Sequence, residues 1–442
     1  MIIATFNTFH IPHTNLIGFA ADGTSNMMGI HNSVGSRMKA FFPGIVIFKC
    51  ICHSLHLCAS EAAKELPRKC EDLVRNIYTH FNHSAKRRAE YHSFQEFYEV
   101  APHQLLHPSQ TRWLSLHRSV QRVIEQWDTL KEYFVTIYPQ EQLQSVQNVI
   151  EHMKFPTMIL YLHFLDFILP KVTILNKIFQ KESPTIHNLN FLMTTYYKTI
   201  LLYFCDKSKL NKSDLTKFDP SLQENWIPLI HIFLGDKIMA LLQTETYNIN
   251  VNNMHNFIYQ FRRDCRQMMI KLCQEIKKRF DMDDDLLRMI SFFHPKKVFN
   301  YSSRQHLPSL GPLVRKMPRI YTGDIQILDD EWRNLDSITL PDEFQPSDNC
   351  GVVHFYQKLG SFQECGIYYF KNLSIFALQI LSLPVSNVDA ERLFSKLNLI
   401  KTDIRNRLSV DSVKSLVLIS ESVKDAEACY LYEPSEAMLN CC

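Results

Sequence analysis

The chain has 442 residues, of which 46% are hydrophobic, 21% charged and 12% aromatic. That is enough for a sizeable core spread over several domains, and it excludes disordered, collagen-like and disulfide-stapled chains. Lys and Arg number 48 against 45 Asp and Glu, a net charge of only +3. No global field therefore draws the chain to nucleic acid or anionic lipid, and any DNA contact must be local.

The 12 cysteines are scattered, and residues 1–13 carry no basic region leading into an apolar run and a cleavage site. The most apolar stretch, 155–169, contains His163 and Asp166 and is bounded by Pro156 and Pro170. It reads as too short and too polar to span a bilayer. The expectation is a soluble protein of a reducing compartment, cytosol or nucleus, with no membrane partner.

Leu16 to Ala21 (LIGFAA) and Ile45 to Cys50 (IVIFKC) are short apolar runs suited to buried strands. Between them the spacing predicts a helix over Ser25 to Phe41, with Thr24 or Ser25 as N-cap. This is a strand–helix–strand unit of α/β type. From His53 to about Tyr138 the pattern is helical, interrupted at 101–109. No glycine occurs between Gly44 and Gly235, and apolar residues recur at three-four spacing, a helical signature. Residues 141–285 read as long amphipathic helices. Segment 286–350, with six prolines from Pro295 to Pro346, reads as loops around short helices. Helical periodicity returns over 352–423, broken at Leu383 and Pro384, and the tail after Lys424 has weak pattern.

Asp22 follows an apolar strand directly and precedes Gly23, Thr24, Ser25 and Asn26. A carboxylate at the C-terminal end of a buried strand sits where α/β proteins place ligands, and it can bind Mg²⁺. A turn or helix-cap Asp is the plainer alternative. Cys50, Cys52, His53 and His56 invite a zinc reading, yet no second Cys/His pair stands at finger spacing, so buried packing is the stronger one. Thr111, Arg112 and Trp113 place one of only four tryptophans beside an arginine. Such a pair can stack on an unstacked base and meet a phosphate, or simply start a helix. Glu391 lies early in a helix that Ser386 or Asn387 can cap, the position of a solvated or ion-paired side chain. The basic run Arg262, Arg263, Arg266, Lys271, Lys277, Lys278 and Arg279, followed by Asp281 and Asp283 to Asp285, reads as a charged solvent face.

Taken in order, these pieces resemble transposases of the hAT superfamily and the host genes derived from them. The matching residues are Asp22 within FAADGTSNM, Cys50 and His53 as a Cys-x-x-His, Thr111 to Trp113, and above all Phe376 to Ser420. That last segment looks like the family's C-terminal dimerisation region. The resemblance implies a mixed α/β, predominantly helical fold: a partial RNase H-like core interrupted by a large all-helical insertion. It implies residues 1–135 as partial core, 136–350 as insertion, 351–424 as returning core with the dimerisation region, and 425–442 as tail. It also implies Asp22 and Glu391 as the second and third acids of a metal-binding catalytic triad, and Arg112 and Trp113 as DNA contacts. Leu393, Phe394, Leu397, Leu399, Ile400, Leu408, Val413, Leu416, Val417 and Ile419 would supply the apolar dimerisation surface, with Arg405 and Arg407 among them. The 21 residues before Asp22 contain no Asp or Glu, so the first acid is missing from this sequence, as is the family's N-terminal zinc finger. The expectation is a domesticated, catalytically inactive remnant that forms a homodimer or higher homo-oligomer, with DNA as a second partner and the nucleus as its place. No cofactor is expected as the chain stands, and Mg²⁺ only if a third acid completes the site. The alternative is a fragment of an active transposase with Mg²⁺-dependent strand cleavage and transfer.

Overall fold

The computed structural model describes residues 2–82, 84–101, 103, 113–244, 247, 253–335, 337–341, 344 and 351–423. Helix accounts for 66% and strand for 4%, so the fold is mixed α/β with few strands. It divides into two units, Met1–Val385 and Ser386–Cys442.

The first unit begins with α1 (Ile2–Thr8), β1 (Gly18–Ala21), α2 (Ser25–Met28), α3 (Val34–Phe41) and β2 (Val46–Lys49). The strands pair in parallel, Gly18 against Val46 and Ala21 against Lys49. The expected single helix over 25–41 is two helices. Gly29 takes an extended ψ of 151°, and Ser33 starts a fresh helix through a capping box with Ser36. Met38, Phe42 and Ile45 form a small core against which Ile3, Leu16, Phe19, Val34 and Ile47 pack. Arg319 ties this corner to the far sequence, donating from Nε to the Leu16 carbonyl at 2.8 Å and from Nη2 to that of His13 at 2.5 Å. Leu383 and Pro384 lie so close to Gly18 that a Cβ there would stand 2.8 Å from each.

A helical body follows: α4 (Ile51–Ala63), α5 (Lys69–Asn82), α6 (Ala85–Phe97), α7 (Trp113–Glu125), α8 (Trp127–Glu141), α9 (Gln144–Met153), α10 (Met158–Phe179), α11 (Ile186–Leu201), α12 (Lys207–Lys212), α13 (Asp236–Leu241) and α14 (Met254–Arg279). Most of the interruption expected at 101–109 lies outside the described residues. Helix α4 packs against α14 and α10, and α10 against α7. Contrary to the expectation, Pro170 does not end α10: the helix runs through it to Phe179. Burial of Ile168, Leu169, Val172 and Leu175 around the proline holds the helix despite the lost amide donor. This makes α10 long and apolar enough to cross a membrane, but 56% of its most apolar window is buried inside the protein, as in a core helix.

Shorter helices come next: α15 (Asp285–Ile290), α16 (Pro295–Val298), α17 (Tyr301–Arg304), α18 (Gly311–Lys316) and α19 (Ile325–Asn334). Two buried acids of α19 serve helix starts elsewhere. Asp329 accepts from the Leu310 amide at 2.6 Å, and Glu331 from the Leu373 amide at 2.7 Å and the Asn372 side chain at 2.6 Å. Helix α20 (Val352–Ser361) packs on α21 (Lys371–Leu381), and between them lies a hairpin, β3 (Gln363–Glu364) with β4 (Ile367–Tyr368), that the periodicity did not announce. Its turn residues Cys365 and Gly366 have φ of 50° and 81°, the left-handed pair a two-residue hairpin requires. The second unit holds α22 (Val388–Ile400) and α23 (Val410–Ser422), packed on one another.

Two histidines in the body are buried as neutral bases. Burial lowers the pKa of His80, which faces the Tyr133 hydroxyl at 3.2 Å, and that of His187, each to about 4. The unfolded chain binds protons that these folded sites refuse, so stability is full above pH 6.5 and falls as pH drops toward 4. The melting temperature is expected to decline across that window, and His187→Leu to flatten the slope. A melting temperature constant from pH 7 to 4.5 contradicts this.

Candidate functional site

Parallel pairing brings the C-terminal ends of β1 and β2 side by side. The Cys50 amide donates to the Ala21 carbonyl at 2.7 Å, and Asp22 is the next residue on that edge. One Asp22 carboxylate oxygen accepts from the Thr24 amide at 3.1 Å and from its hydroxyl at 2.6 Å. This closes an Asx turn, so Asp22 fills the turn role and the strand-end position together. The Thr24 hydroxyl bond holds the Asp22 carboxyl below its ordinary range, and nearby His53 adds in the same direction. Thr24 stands at the N-cap of α2, as expected, but spends its side chain on Asp22 and makes no side-chain capping bond.

His53 stands in the first turn of α4, half-buried. Cys50, at the N-cap, and Cys52 are buried at 1% and 7% exposure. Their side chains are hydrogen-bonded, and that bond together with burial pushes the Cys52 thiol well above its ordinary range. Cys52 also donates to the Asn176 carbonyl of α10 at 3.9 Å. Both thiols lie in the packed interior at the start of α4. The Ile51 amide donates to the Val385 carbonyl at 3.1 Å, so the same helix start holds the chain just before the second unit.

Arg112 lies outside the described residues, as does the side chain of Trp113, whose backbone opens α7. One turn further, His117 meets Asp166 of α10 at 3.2 Å, and Lys237 reaches the other oxygen of Asp166 at 3.4 Å. Leu116 and Leu165 floor a cavity of about 590 Å³ walled by the turn from α4 to α5. At that cavity Arg75 is held by Glu71 at 2.6 Å and Arg68 by Asp72 at 3.6 Å, so its cations are already matched by carboxylates.

The basic run on α14 corrects the expected solvent face in part: Arg263 and Lys278 are exposed, but the others are engaged. Arg262 donates to the Leu229 and Ile230 carbonyls at 3.1 and 3.0 Å, and Lys277 to that of Phe218 at 3.0 Å. Lys271 and Arg279 pair with buried Glu275. These cations fasten loops and neutralise a buried carboxylate, which charge spacing alone does not reveal.

In the second unit Glu391 is exposed and sits in the first turns of α22, after Asn387 at the N-cap; Asn387 makes no side-chain capping bond. Among the described residues of this unit none is buried. Leu393, Phe394 and Ile419 are 42, 57 and 57% exposed, and Leu399 reaches 80%. Leu397, Ile400, Leu408, Val413, Leu416 and Val417 are half-buried, while Arg405 and Arg407 are exposed. Three further apolar residues escaped the sequence reading: Ile404 at 99%, Val410 at 84% and Leu418 at 56% exposure. The first two lie in or beside the α22–α23 turn, where helical spacing gives no signal. Lys396 and Glu421 pair across the two helices.

Asp22 belongs to the first unit and Glu391 to the second. Among the described residues no three His, Cys, Asp or Glu side chains come together to hold a metal ion. A two-metal cage needs several converging carboxylates.

Residues 362–423 match the family model described as the hAT family C-terminal dimerisation region. Through that segment the chain is similar to the hAT family of transposases. The match contains the Phe376 to Ser420 segment and all the exposed apolar residues of α22 and α23. No curated protein matched the chain.

The Asx turn gives a direct test at the strand end. Thr24→Val removes the stronger of two bonds to the Asp22 carboxylate and is expected to raise its pKa. Carbon-13 carboxyl NMR titration, assigned with Asp22→Asn, reads the shift. An unchanged Asp22 pKa contradicts the geometry.

Proposed function

We propose that this hAT-related chain acts by self-association through α22 and α23, and that its 442 residues do not by themselves cut DNA. The observation that carries the first part is the exposure of Leu393, Phe394, Leu399, Ile404, Val410 and Ile419 within the matched dimerisation region. An apolar surface spread over two helices and their turn is the mark of a face that another protein covers. The partner proposed is a second copy.

The first unit is read as the remnant of an RNase H-like core carrying helical elaborations. Support comes from the parallel β1–β2 pair, from Asp22 at the strand end, and from the helices packed around them. The inactive reading is supported by the described residues, among which no three His, Cys, Asp or Glu side chains come together to hold a metal ion. Contact with DNA through Arg112 and Trp113, and residence in the nucleus, are further parts of the proposal and follow from the family relationship. A second reading, a fragment of an active transposase, is favoured by one observation: the Thr24 hydroxyl bond holds the Asp22 carboxyl below its ordinary range at the strand end.

Sedimentation analysis tests self-association. Phe394→Asp with Ile419→Asp places two charges on exposed positions, so the fold is kept while the contact is lost. Dissociation is expected to become at least about tenfold easier, roughly 1.4 kcal/mol. An unchanged association constant, with far-UV circular dichroism also unchanged, contradicts the assignment. Incubating the chain with a terminal-repeat duplex and Mg²⁺ or Mn²⁺ is expected to leave the duplex intact. Nicking that Glu391→Gln abolishes would establish the second reading instead.

A further inference from the structure

One loop of the first unit, residues 226–233, interleaves rings and cations. It is pinned along α11 and its turn: the Ile227 amide donates to the Phe204 carbonyl at 3.0 Å and the Phe233 amide to that of Tyr203 at 2.9 Å. At one end the Arg266 guanidinium lies 4.2 Å from the Trp226 ring centroid. The Arg266 Nε is buried with no hydrogen-bond partner among the described residues. Trp226 is half-buried and fixed by its own Nε1 bond to the Pro220 carbonyl at 2.9 Å. Arg262 holds the crest of the loop through the Leu229 and Ile230 carbonyls.

At the other end Phe233, Tyr203 and Phe167 form a triad. Phe167 stands 5.2 Å from Tyr203 and 5.5 Å from Phe233, and Tyr203 5.7 Å from Phe233. The Lys171 ammonium sits 4.6 Å from the Phe167 centroid and 5.4 Å from that of Tyr203. Phe233 is 39% exposed, and Ile230 at the crest 66%. The nearby acid Asp166 is engaged by His117 and Lys237.

A cation lies against Trp226 at one end of the loop, and at the other a cation lies against Phe167 and Tyr203, the ring neighbours of Phe233. Rings and cations so spaced match a partner that offers flat π faces at intervals along an anionic chain. Duplex DNA hides its base faces in the stack, whereas a single strand presents them. We propose that the 226–233 loop, with Arg266 and Lys171, is a contact surface for single-stranded nucleic acid, its bases stacking at Trp226 and Phe233 and its phosphates meeting the two cations. The surface belongs to the first unit alone and depends neither on self-association nor on Arg112 and Trp113.

The test is fluorescence anisotropy of the full chain with fluorescein-labelled dT12 and with a duplex of equal length. The single strand is expected to bind more tightly than the duplex at equal salt. Phe233→Ala is expected to weaken dT12 binding by roughly 5- to 100-fold, the worth of one stacked base. Arg266→Gln and Lys171→Gln are each expected to reduce the salt slope by about 0.7. Melting curves show that each variant is folded, and Trp226→Phe, which keeps a ring, is expected to retain most of the affinity. Absence of dT12 binding at low salt overturns the proposal. So does binding that only Trp113→Ala weakens, which would leave the Arg112–Trp113 reading standing. A sedimentation change in Phe233→Ala without loss of dT12 affinity marks the face as a protein interface and also overturns it.

Discussion

Two parallel strands cannot stand alone: their faces and ends need cover, and their hydrogen bonds are too few to hold a register unaided. Helix α4 supplies much of what the pair lacks. It starts where β2 stops, and its N-cap residue Cys50 is bonded back to Ala21 at the end of β1. Its next residue, Ile51, holds Val385. Its buried side, Cys52, Leu55, Cys58, Ala59 and Ala62, enters the helical body against α10 and α14. One helix thereby fixes the strand register, the placement of Asp22 beside His53, and the path of the chain toward Ser386. The raised thiols of Cys52 and Cys58, the latter pushed up to about 12 by burial, belong to this arrangement. Both side chains are buried along α4, which packs on α10 and α14.

The second unit is built under the opposite condition. Among the described residues its helices bury nothing fully, yet they carry leucine, isoleucine, phenylalanine and valine at and between helical spacing. A lone helix pair with such a surface gains little from folding by itself, because helix stability in proteins comes mainly from an apolar face that is covered. The Lys396–Glu421 pair bridges α22 and α23 but is partly exposed and contributes little. The apolar surface is thus the dominant unspent free energy of this unit, at roughly 25 cal/mol for each Å² that a partner covers.

The sequence was most legible where composition and local chemistry agreed. The strands could be read because continuous apolar runs end at Asp22 and Cys50, and the C-terminal segment because its motif is specific. The helix break at Gly29 to Ser33 was missed because apolar spacing continued across it while Gly29 and the Ser33 cap ended one helix and began another. Pro170 misled because a core helix tolerates proline when its neighbours are buried on several sides. Strands of two residues each, as in the 363–368 hairpin, leave no periodicity to detect. At the candidate sites, Asp22 could be located from sequence but its Thr24 clasp could not, since a Thr two residues on is equally a helix cap. The work of Arg262, Lys277 and Arg279 depends on carbonyls and an acid brought in by tertiary folding, which charge patterning cannot show.

We propose that the second unit packs against another copy of the chain. Hydrogen–deuterium exchange at several protein concentrations tests it most directly. Amides of α22 and α23 are expected to gain protection as concentration rises, while those of α4, α10 and α14 stay constant. Protection of 388–422 that is independent of concentration, over a range in which the protein remains monomeric by sedimentation, would contradict the account.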